Sequence, residues 1–138
     1  MPAKDIYHEQ VKNALIKDGW TITHDPYIMT FGQTDVFADL GAERALAAEK
    51  GNEKIVVEIK TFQGASAIRD LENAVGQYVF YRSLLARFEP NRKLFLAVPE
   101  GIFASTLNEP IARPVIEDLN VAMIAFDPKR EVIIQWKN

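Results

Sequence analysis

The sequence predicts a single α/β domain in which helices flank a mixed β-sheet. Three observations support this fold class. The 138 residues are the size of one ordinary domain, and 48% of them are hydrophobic, which is enough for one continuous core. Helical and extended patterns alternate along the chain, without repeats, low-complexity segments or a linker. One long amphipathic pattern separates two groups of apolar strands. Residues 1–138 are therefore interpreted as one domain.

The N-terminal part is predicted to begin with a helix from about Asp5 to Asp18, because its apolar residues recur at helical spacing. Gly19 is a suitable residue to end that helix. The alternating segment 20–23 follows as a strand. The stretch from Thr30 to Arg44 gives no clear prediction, because a glycine interrupts any strand pattern there.

The middle of the chain is predicted to form a hairpin and then a long helix. Strands at 45–50 and 54–62 flank the turn Gly51-Asn52. A helical stripe indicates a helix from Ala67 to Phe88, with Ser66 as its N-cap. The remaining predicted elements are a strand at 93–98, a helix from Pro114 to Leu119, and strands at 121–126 and 131–136.

The most informative residues are Glu58 and Lys60, which lie two apart in the second hairpin strand and therefore share a face. Charged side chains in the middle of an apolar strand are costly to desolvate unless they are paired or functional. A metal-dependent nuclease uses both kinds of group. The carboxylate binds Mg²⁺ through hard oxygen ligands, and the lysine orients water and offsets phosphate charge.

A second carboxylate is expected from the preceding strand. If the turn is centred at 51–52, Glu43 lies opposite Lys60, and Asp39 keeps the same parity if the strand extends that far. Both acids are therefore candidates for the second position, and parity alone does not choose between them. A solvated strand face carrying alternating Glu and Lys is the competing structural interpretation.

Other polar residues are candidates to support the same site. Gln77 and Tyr81 are four apart on the long helix and so share a face beside its apolar stripe. Glu9 on the first helix is a further candidate to orient the site. His8 and His24 have no partner at metal-ligand spacing, so surface or packing roles are predicted for them.

Taken together, Asp39, Glu58-x-Lys60 and Gln77-x-x-x-Tyr81 resemble the PD-(D/E)xK nuclease pattern with a RecB-like QxxxY helix. Over nearly the whole chain, the sequence more closely resembles the XisH family, the fdxN element excision controlling factors of cyanobacteria. The blocks that carry this resemblance are 39–43, 47–50, 57–62, 76–78, 97–100, 126–128 and 135–136.

The resemblance implies a restriction-endonuclease-like fold and a role in DNA excision during heterocyst differentiation. It also implies an XisI-like protein partner and a separate site-specific recombinase. It assigns the catalytic set to Asp39, Glu58 and Lys60, with Asp39 and Glu58 holding Mg²⁺ (or Mn²⁺). Ala38 stands where the pattern has proline, which keeps Glu43 as the alternative acid.

The composition argues against several classes of protein. The formal net charge is -3 and cysteine is absent, which argues against a strongly basic DNA-binding domain and excludes thiol chemistry. No apolar run is long enough to span a bilayer, and no targeting segment is evident, so a cytoplasmic protein is expected. Candidate phosphate contacts, whose clustering the sequence does not fix, are Arg69, Arg82, Arg87, Arg92 and Lys93.

Two functional hypotheses follow. The first is a Mg²⁺-dependent endonuclease or nuclease-derived factor acting on DNA. The second is a non-catalytic accessory protein with a nuclease-like fold that acts through a protein partner. The sequence leaves catalytic activity, target specificity and oligomeric state open.

Overall fold

The computed structural model describes residues 5–45 and 52–138. The four helices within these ranges are α1 (His8–Lys17), α2 (Ala67–Phe88), α3 (Glu100–Ala104) and α4 (Arg113–Asp118), with a 3₁₀ turn at Thr106–Asn108. The strands are β1 (Thr21–His24), β2 (Tyr27–Phe31), β3 (Thr34–Ala38), β4 (Leu40–Ala45), β5 (Asn52–Ile59), β6 (Arg92–Pro99), β7 (Met123–Asp127) and β8 (Val132–Lys137).

Six strands form a mixed sheet in the order β1-β4-β5-β6-β7-β8, while β2 and β3 pair only with each other. The three central strands, β5, β6 and β7, run parallel. The remaining pairings in this sheet are antiparallel. This arrangement confirms the predicted mixed sheet flanked by helices. Parallel strands are expected to be covered on both faces, and both faces of β5 are indeed buried.

Alternation along β5 divides the apolar side chains between two cores. Val56 packs in the cluster that includes α2, together with Leu94 and Leu96 of β6. Ile55 and Val57 pack in the opposite cluster, which includes α1. The predicted two-residue alternation is therefore confirmed, and Glu58 belongs to the α2 face.

The long helix α2 has the predicted bounds and cap. Ser66 Oγ accepts a hydrogen bond from Arg69 N at 3.2 Å, which satisfies one free backbone donor of the first turn. Tyr78 lies fully buried against the sheet. Its hydroxyl donates to Leu94 O at 3.1 Å and accepts from Ala122 N at 3.0 Å. This one side chain joins α2 to β6 and to the approach of β7.

The predicted hairpin register was wrong. Glu43 lies opposite Lys54 rather than Lys60, and Leu40 lies opposite Val57. Asn52, which was predicted to lie in the turn, pairs instead with Ala45, so the partners shift along the strands. The predicted strand at 45–50 lies almost wholly outside the described residues.

The hairpin β2–β3, helix α3 and the 3₁₀ turn were not predicted. The uncertain stretch contains the hairpin β2–β3, in which buried Tyr27 and Met29 alternate with exposed neighbours. Gly32 permits its tight turn because its φ is +61°. Helix α3 begins immediately after Pro99 at the end of β6. Within residues 5–45 and 52–138, no helix is both long and apolar enough to cross a membrane.

Candidate functional site

Asp39 and Glu58 meet where β4 begins and β5 ends. Asp39 is the residue between β3 and β4, and the pairing of Leu40 with Val57 places it opposite Glu58. Asp39 Oδ2 accepts a hydrogen bond from Ile59 N at 2.7 Å. The backbone of β5 therefore fixes the Asp39 carboxylate beside Glu58.

Glu58 is an acid held inside the sheet, with 5% of its surface exposed. Burial raises its pKa, and the hydrogen bond and negative charge of Asp39 raise it further, to about 10. Its Oε2 atom is buried and has no hydrogen-bond partner. A buried polar atom without a partner is costly for folding, which indicates that Glu58 has a role other than stability.

Lys60 places a positive charge near Glu58. Its backbone N donates to Ala97 O at 2.9 Å, which extends the β5–β6 pairing past Ile59 and keeps Lys60 on the face of Glu58. Lys60 also acts on Asp5, at the start of the chain's described part. Burial raises the pKa of Asp5 and the charge of Asp39 adds to this, while Lys60 opposes it. These four ionisable groups therefore share one electrostatic environment.

Helix α2 contributes Gln77 and Tyr81 to the same region. Gln77 Nε2 donates to Tyr81 Oη at 2.9 Å, so the two residues form one hydrogen-bonded pair. Burial raises the pKa of Tyr81, and the charges of Glu58 and Asp39 add to the increase. The Tyr81 hydroxyl therefore lies within electrostatic reach of both acids, on the sheet face where Glu58 is found.

His8 of α1 approaches the site from the side opposite α2. Its ring is buried, with Nε2 2.7 Å from Asp25 Oδ1 and Nδ1 4.0 Å from Asp39 Oδ1. Nδ1 has no hydrogen-bond partner. Lys12 Nζ lies 3.0 Å from the other Asp25 oxygen. Asp25 thus holds His8 against the acid pair.

Two of the predicted supporting residues lie elsewhere. Glu43 shares the α2 face of the sheet but sits at the far end of the β4–β5 pair, 3.9 Å from Lys54 Nζ and 3.7 Å from Arg92 Nη2. Glu9 is exposed on α1, beside His8 and Asp25. The register therefore favours Asp39 over Glu43 as the acid next to Glu58.

The sequence did not reveal His8, Asp5 or Asp25 as neighbours of the site. Each comes from the N-terminal quarter of the chain, and no fixed spacing links it to Asp39 or Glu58. Only the packing of α1 against the sheet brings them together. A buried histidine on the apolar side of a predicted helix was the one available signal, since His8 is spaced with Val11 and Leu15.

The acid pair fits a hard divalent cation. Asp39 and Glu58 offer carboxylate oxygens, and the unpartnered Oε2 of Glu58 is the kind of atom that such an ion satisfies. A second group of potential ligands, His8, Glu9 and Asp25, lies alongside. Both oxygens of Asp25 are already paired with His8 and Lys12, so Asp25 is committed to this hydrogen-bonded cluster.

Comparison with known proteins identifies the family. The XisH protein family matches residues 1–134, nearly the whole chain. This chain belongs to the XisH family. No curated protein sequence matches it. The family assignment confirms the resemblance carried by the sequence blocks.

Solved structures of XisH proteins share the fold. An XisH family protein from Nostoc punctiforme PCC 73102 is 39% identical, with a TM-score of 0.87, and the match covers 97% of this chain and 100% of that one. An fdxN element excision controlling factor protein from Anabaena variabilis is also 39% identical, with a TM-score of 0.87 over 98% of this chain and 100% of that one. The XisH fold is thus the mixed sheet described above.

Proposed function

We propose that this XisH protein is a DNA-processing factor in fdxN element excision, and that Asp39, Glu58 and Lys60 form a Mg²⁺-dependent phosphodiester-cleaving centre. The observation that carries the proposal is the buried Glu58, whose Oε2 lacks a partner and whose neighbours are a second acid and a lysine. The name of the Anabaena variabilis relative supports the biological setting. Heterocyst differentiation is the setting that the family resemblance implies.

In this centre Asp39 and Glu58 would hold the metal. When bound, Mg²⁺ (or Mn²⁺) polarises a phosphate oxygen and makes a bound water more acidic. Lys60 offsets negative charge on the phosphate and orients the attacking water. The backbone hydrogen bond from Ile59 N fixes Asp39, so one ligand is oriented before DNA binds. Gln77 orients the Tyr81 hydroxyl beside the acids.

Cleavage of supercoiled DNA with Mg²⁺ or Mn²⁺ tests this proposal. Lys60→Ala should lower the cleavage rate by about 100-fold or more, as expected when one charged contact to the transition state is removed. Lys54→Ala is a matched control, because Lys54 lies on the same face of β5 at its other end. Equal cleavage by wild type and Lys60→Ala would exclude the centre.

The same assay assigns the second acid. Asp39→Asn should abolish cleavage, because Asp39 lies opposite Glu58. Glu43→Gln should preserve it, because Glu43 pairs with Lys54 and Arg92 at the far end of the strand. The reverse result would show that Glu43 is the ligand and that the register argument fails.

A second candidate function is a non-catalytic accessory role, with an XisI-like protein as partner. Two observations favour it. The net charge of -3 gives no broadly basic surface for DNA. The pKa of Glu58 near 10 means that, without metal, its buried carboxyl keeps its proton at physiological pH and is not a ready metal ligand. This function requires partner binding that Glu58→Gln and Lys60→Ala leave unchanged, with no DNA cleavage by wild type. Calorimetric titration with the partner measures it.

A further inference from the structure

A cavity lies at the end of the sheet opposite the acid pair. It has a volume of about 470 Å³ and opens between the C-terminal half of α2, the amino end of β6 and the segment after α4. Protein cavities that bind small molecules are typically roughly 300–1,000 Å³. The acid pair sits at the carboxyl ends of β5 and β6, so the cavity is a separate place on the molecule.

Three basic residues meet around this cavity: Arg82, Arg92 and Lys93. No Asp or Glu belongs to the described residues that line it. This is unusual in a chain whose formal net charge is -3. The candidate phosphate contacts in the sequence are thus partly gathered in one concave site.

Among the described residues, no Asp or Glu side chain forms an ion pair with Arg82 or Lys93. Arg82 Nη1 donates to Leu119 O at 2.6 Å, and Lys93 Nζ donates to Asn138 Oδ1 at 2.8 Å. Both acceptors are neutral oxygen atoms, so neither contact cancels a positive charge. Arg92, in contrast, is paired with Glu89 at 2.8 Å. The cavity therefore retains an excess of positive charge from Arg82 and Lys93.

The rest of the wall suits the organic part of a ligand. Leu85, Ala86 and Pro90 supply apolar surface. Asn120 and Asn138 supply amide groups, which can donate and accept hydrogen bonds at the edge of a heterocycle. An apolar wall with a few convergent polar groups is the usual composition of a small-molecule site.

We propose that this cavity binds a small phosphorylated ligand of the nucleoside monophosphate class. Arg82 and Lys93 bind the phosphate, because charge-assisted hydrogen bonds to phosphate are the strongest contacts that these side chains make. The apolar wall contacts the base, and the two asparagines bind its edge. The inference goes beyond the proposed phosphodiester-cleaving centre and does not depend on it.

Calorimetric titration of the wild-type protein with adenosine 5′-monophosphate tests the inference. Adenosine and inorganic phosphate are titrated in parallel. The nucleotide should bind more tightly than either part alone. Lys93→Met should weaken nucleotide binding by about tenfold or more, as expected when a charged hydrogen bond is lost. Arg82→Met should act in the same direction.

A second pair of variants does not depend on the packing of Arg82. Ala86→Glu places a carboxylate at the wall of the cavity from an exposed helical position, and it should abolish nucleotide binding. Ser83→Glu adds the same charge to an exposed position of α2 that does not line the cavity, and it should leave binding unchanged.

Three results would overturn the inference: no nucleotide binding by wild type, equal affinity for phosphate and nucleotide, or equal losses in Ala86→Glu and Ser83→Glu. A short DNA duplex is the last ligand to titrate. If only the duplex binds and Lys93→Met weakens it, the site is a DNA-backbone contact and not a nucleotide pocket.

Discussion

The sheet carries a buried polar cluster at each end, and the two clusters are built differently. The acid end comprises Asp39, Glu58, Lys60 and His8. The arginine end comprises Tyr27, Glu43, Glu89 and Arg92. At the arginine end, Arg92 contacts both acids and donates to Ile55 O at 3.1 Å, and the Tyr27 hydroxyl donates to Glu89. At the acid end, Glu58 Oε2 and His8 Nδ1 have no hydrogen-bond partner. At the arginine end Arg92 Nε also has none, but it lies 2.8 Å from Glu89 Oε1 in an ion pair.

The pKa shifts of Glu89 and Glu58 show the consequence of this difference. Burial acts to raise the pKa of Glu89, but hydrogen bonds from Tyr27 and Arg92 outweigh it and lower the pKa. Burial raises the pKa of Glu58, and Asp39 raises it further. The arginine end therefore stabilises its charges within the fold, whereas the acid end needs a proton or an external cation.

Arg92→Met should have the largest effect on stability. It leaves Glu89 and Glu43 without their shared cation, and breaking a buried ion pair from one side costs about 3–5 kcal/mol in the free energy of unfolding. Urea unfolding measures the loss. Arg87→Met, at an exposed position of α2, is the control and should change little. Equal losses of unfolding free energy in Arg92→Met and Arg87→Met would show that the arginine end is not a special source of stability.

Glu58→Gln should stabilise the metal-free protein at neutral pH, whereas Arg92→Met destabilises it. In the folded protein without metal, the pKa of Glu58 is raised to about 10, above its value in the unfolded chain. The protonated carboxyl therefore stabilises the fold fully only below the unfolded pKa, and this contribution is lost as the pH rises towards the folded pKa. The loss amounts to up to about 1.4 kcal/mol per pH unit.

Between about pH 5 and pH 7, wild type should lose about 2–3 kcal/mol of stability relative to Glu58→Gln. Denaturant unfolding in EDTA at both pH values measures this difference. Glu89→Gln serves as the comparison from the arginine end, because the pKa of Glu89 is lowered, so the stability of wild type relative to Glu89→Gln should not fall as the pH rises. A difference between wild type and Glu58→Gln that does not change with pH would show that Glu58 is not held protonated.

Added metal should offset the free-energy cost of burying the Glu58 carboxylate at the acid end. A cation that binds only the native acid pair stabilises the fold by mass action, by about 1 kcal/mol when its concentration is roughly five times Kd. Millimolar Mg²⁺ or Mn²⁺ should therefore raise the Tm of wild type by a few degrees (about 3–4 °C). Glu58→Gln should lose most of that rise. Equal shifts in both proteins would show that the acid pair does not hold the metal.

Gly76→Ala should have the smallest effect. Gly76 lies next to Gln77 in α2, and a Cβ atom at this position would meet nothing within 4 Å. Alanine at an exposed helical position is more favourable than glycine by about 0.5–1 kcal/mol. Thermal unfolding should show that gain. A loss of stability would reveal a constraint on the helix that the monomer does not show.

The sequence predicted the fold best where local signals and packing agree. Helix α2 combines a serine cap with a helical stripe, and its bounds were correct from Ala67 to Phe88. The β4–β5 register failed because Asn52, which was assigned to the turn, lies in β5 and pairs with Ala45, so every partner shifts along the strands. Gly32 and the alternating residues before it were a usable signal for the β2–β3 hairpin.

The candidate site was predicted in part. Glu58 and Lys60 could be paired because one strand carries both, and Gln77 and Tyr81 because one helix does. The choice of Asp39 over Glu43 depends on the strand register, which the sequence did not determine. Helical spacing could place His8 on the apolar side of α1, but its contact with Asp39 is made by tertiary packing alone.

In the proposed centre, a proton and a metal cation would compete for the carboxyl oxygens of Glu58. With a pKa near 10, the carboxyl must release its proton before a metal can occupy the site. If the proposed centre binds metal, its affinity should rise with pH, up to about tenfold per unit below the pKa of the carboxyl. Calorimetry in buffers of different ionisation enthalpy would count that proton directly. In the proposed centre, metal occupancy would therefore depend on the pH around the protein.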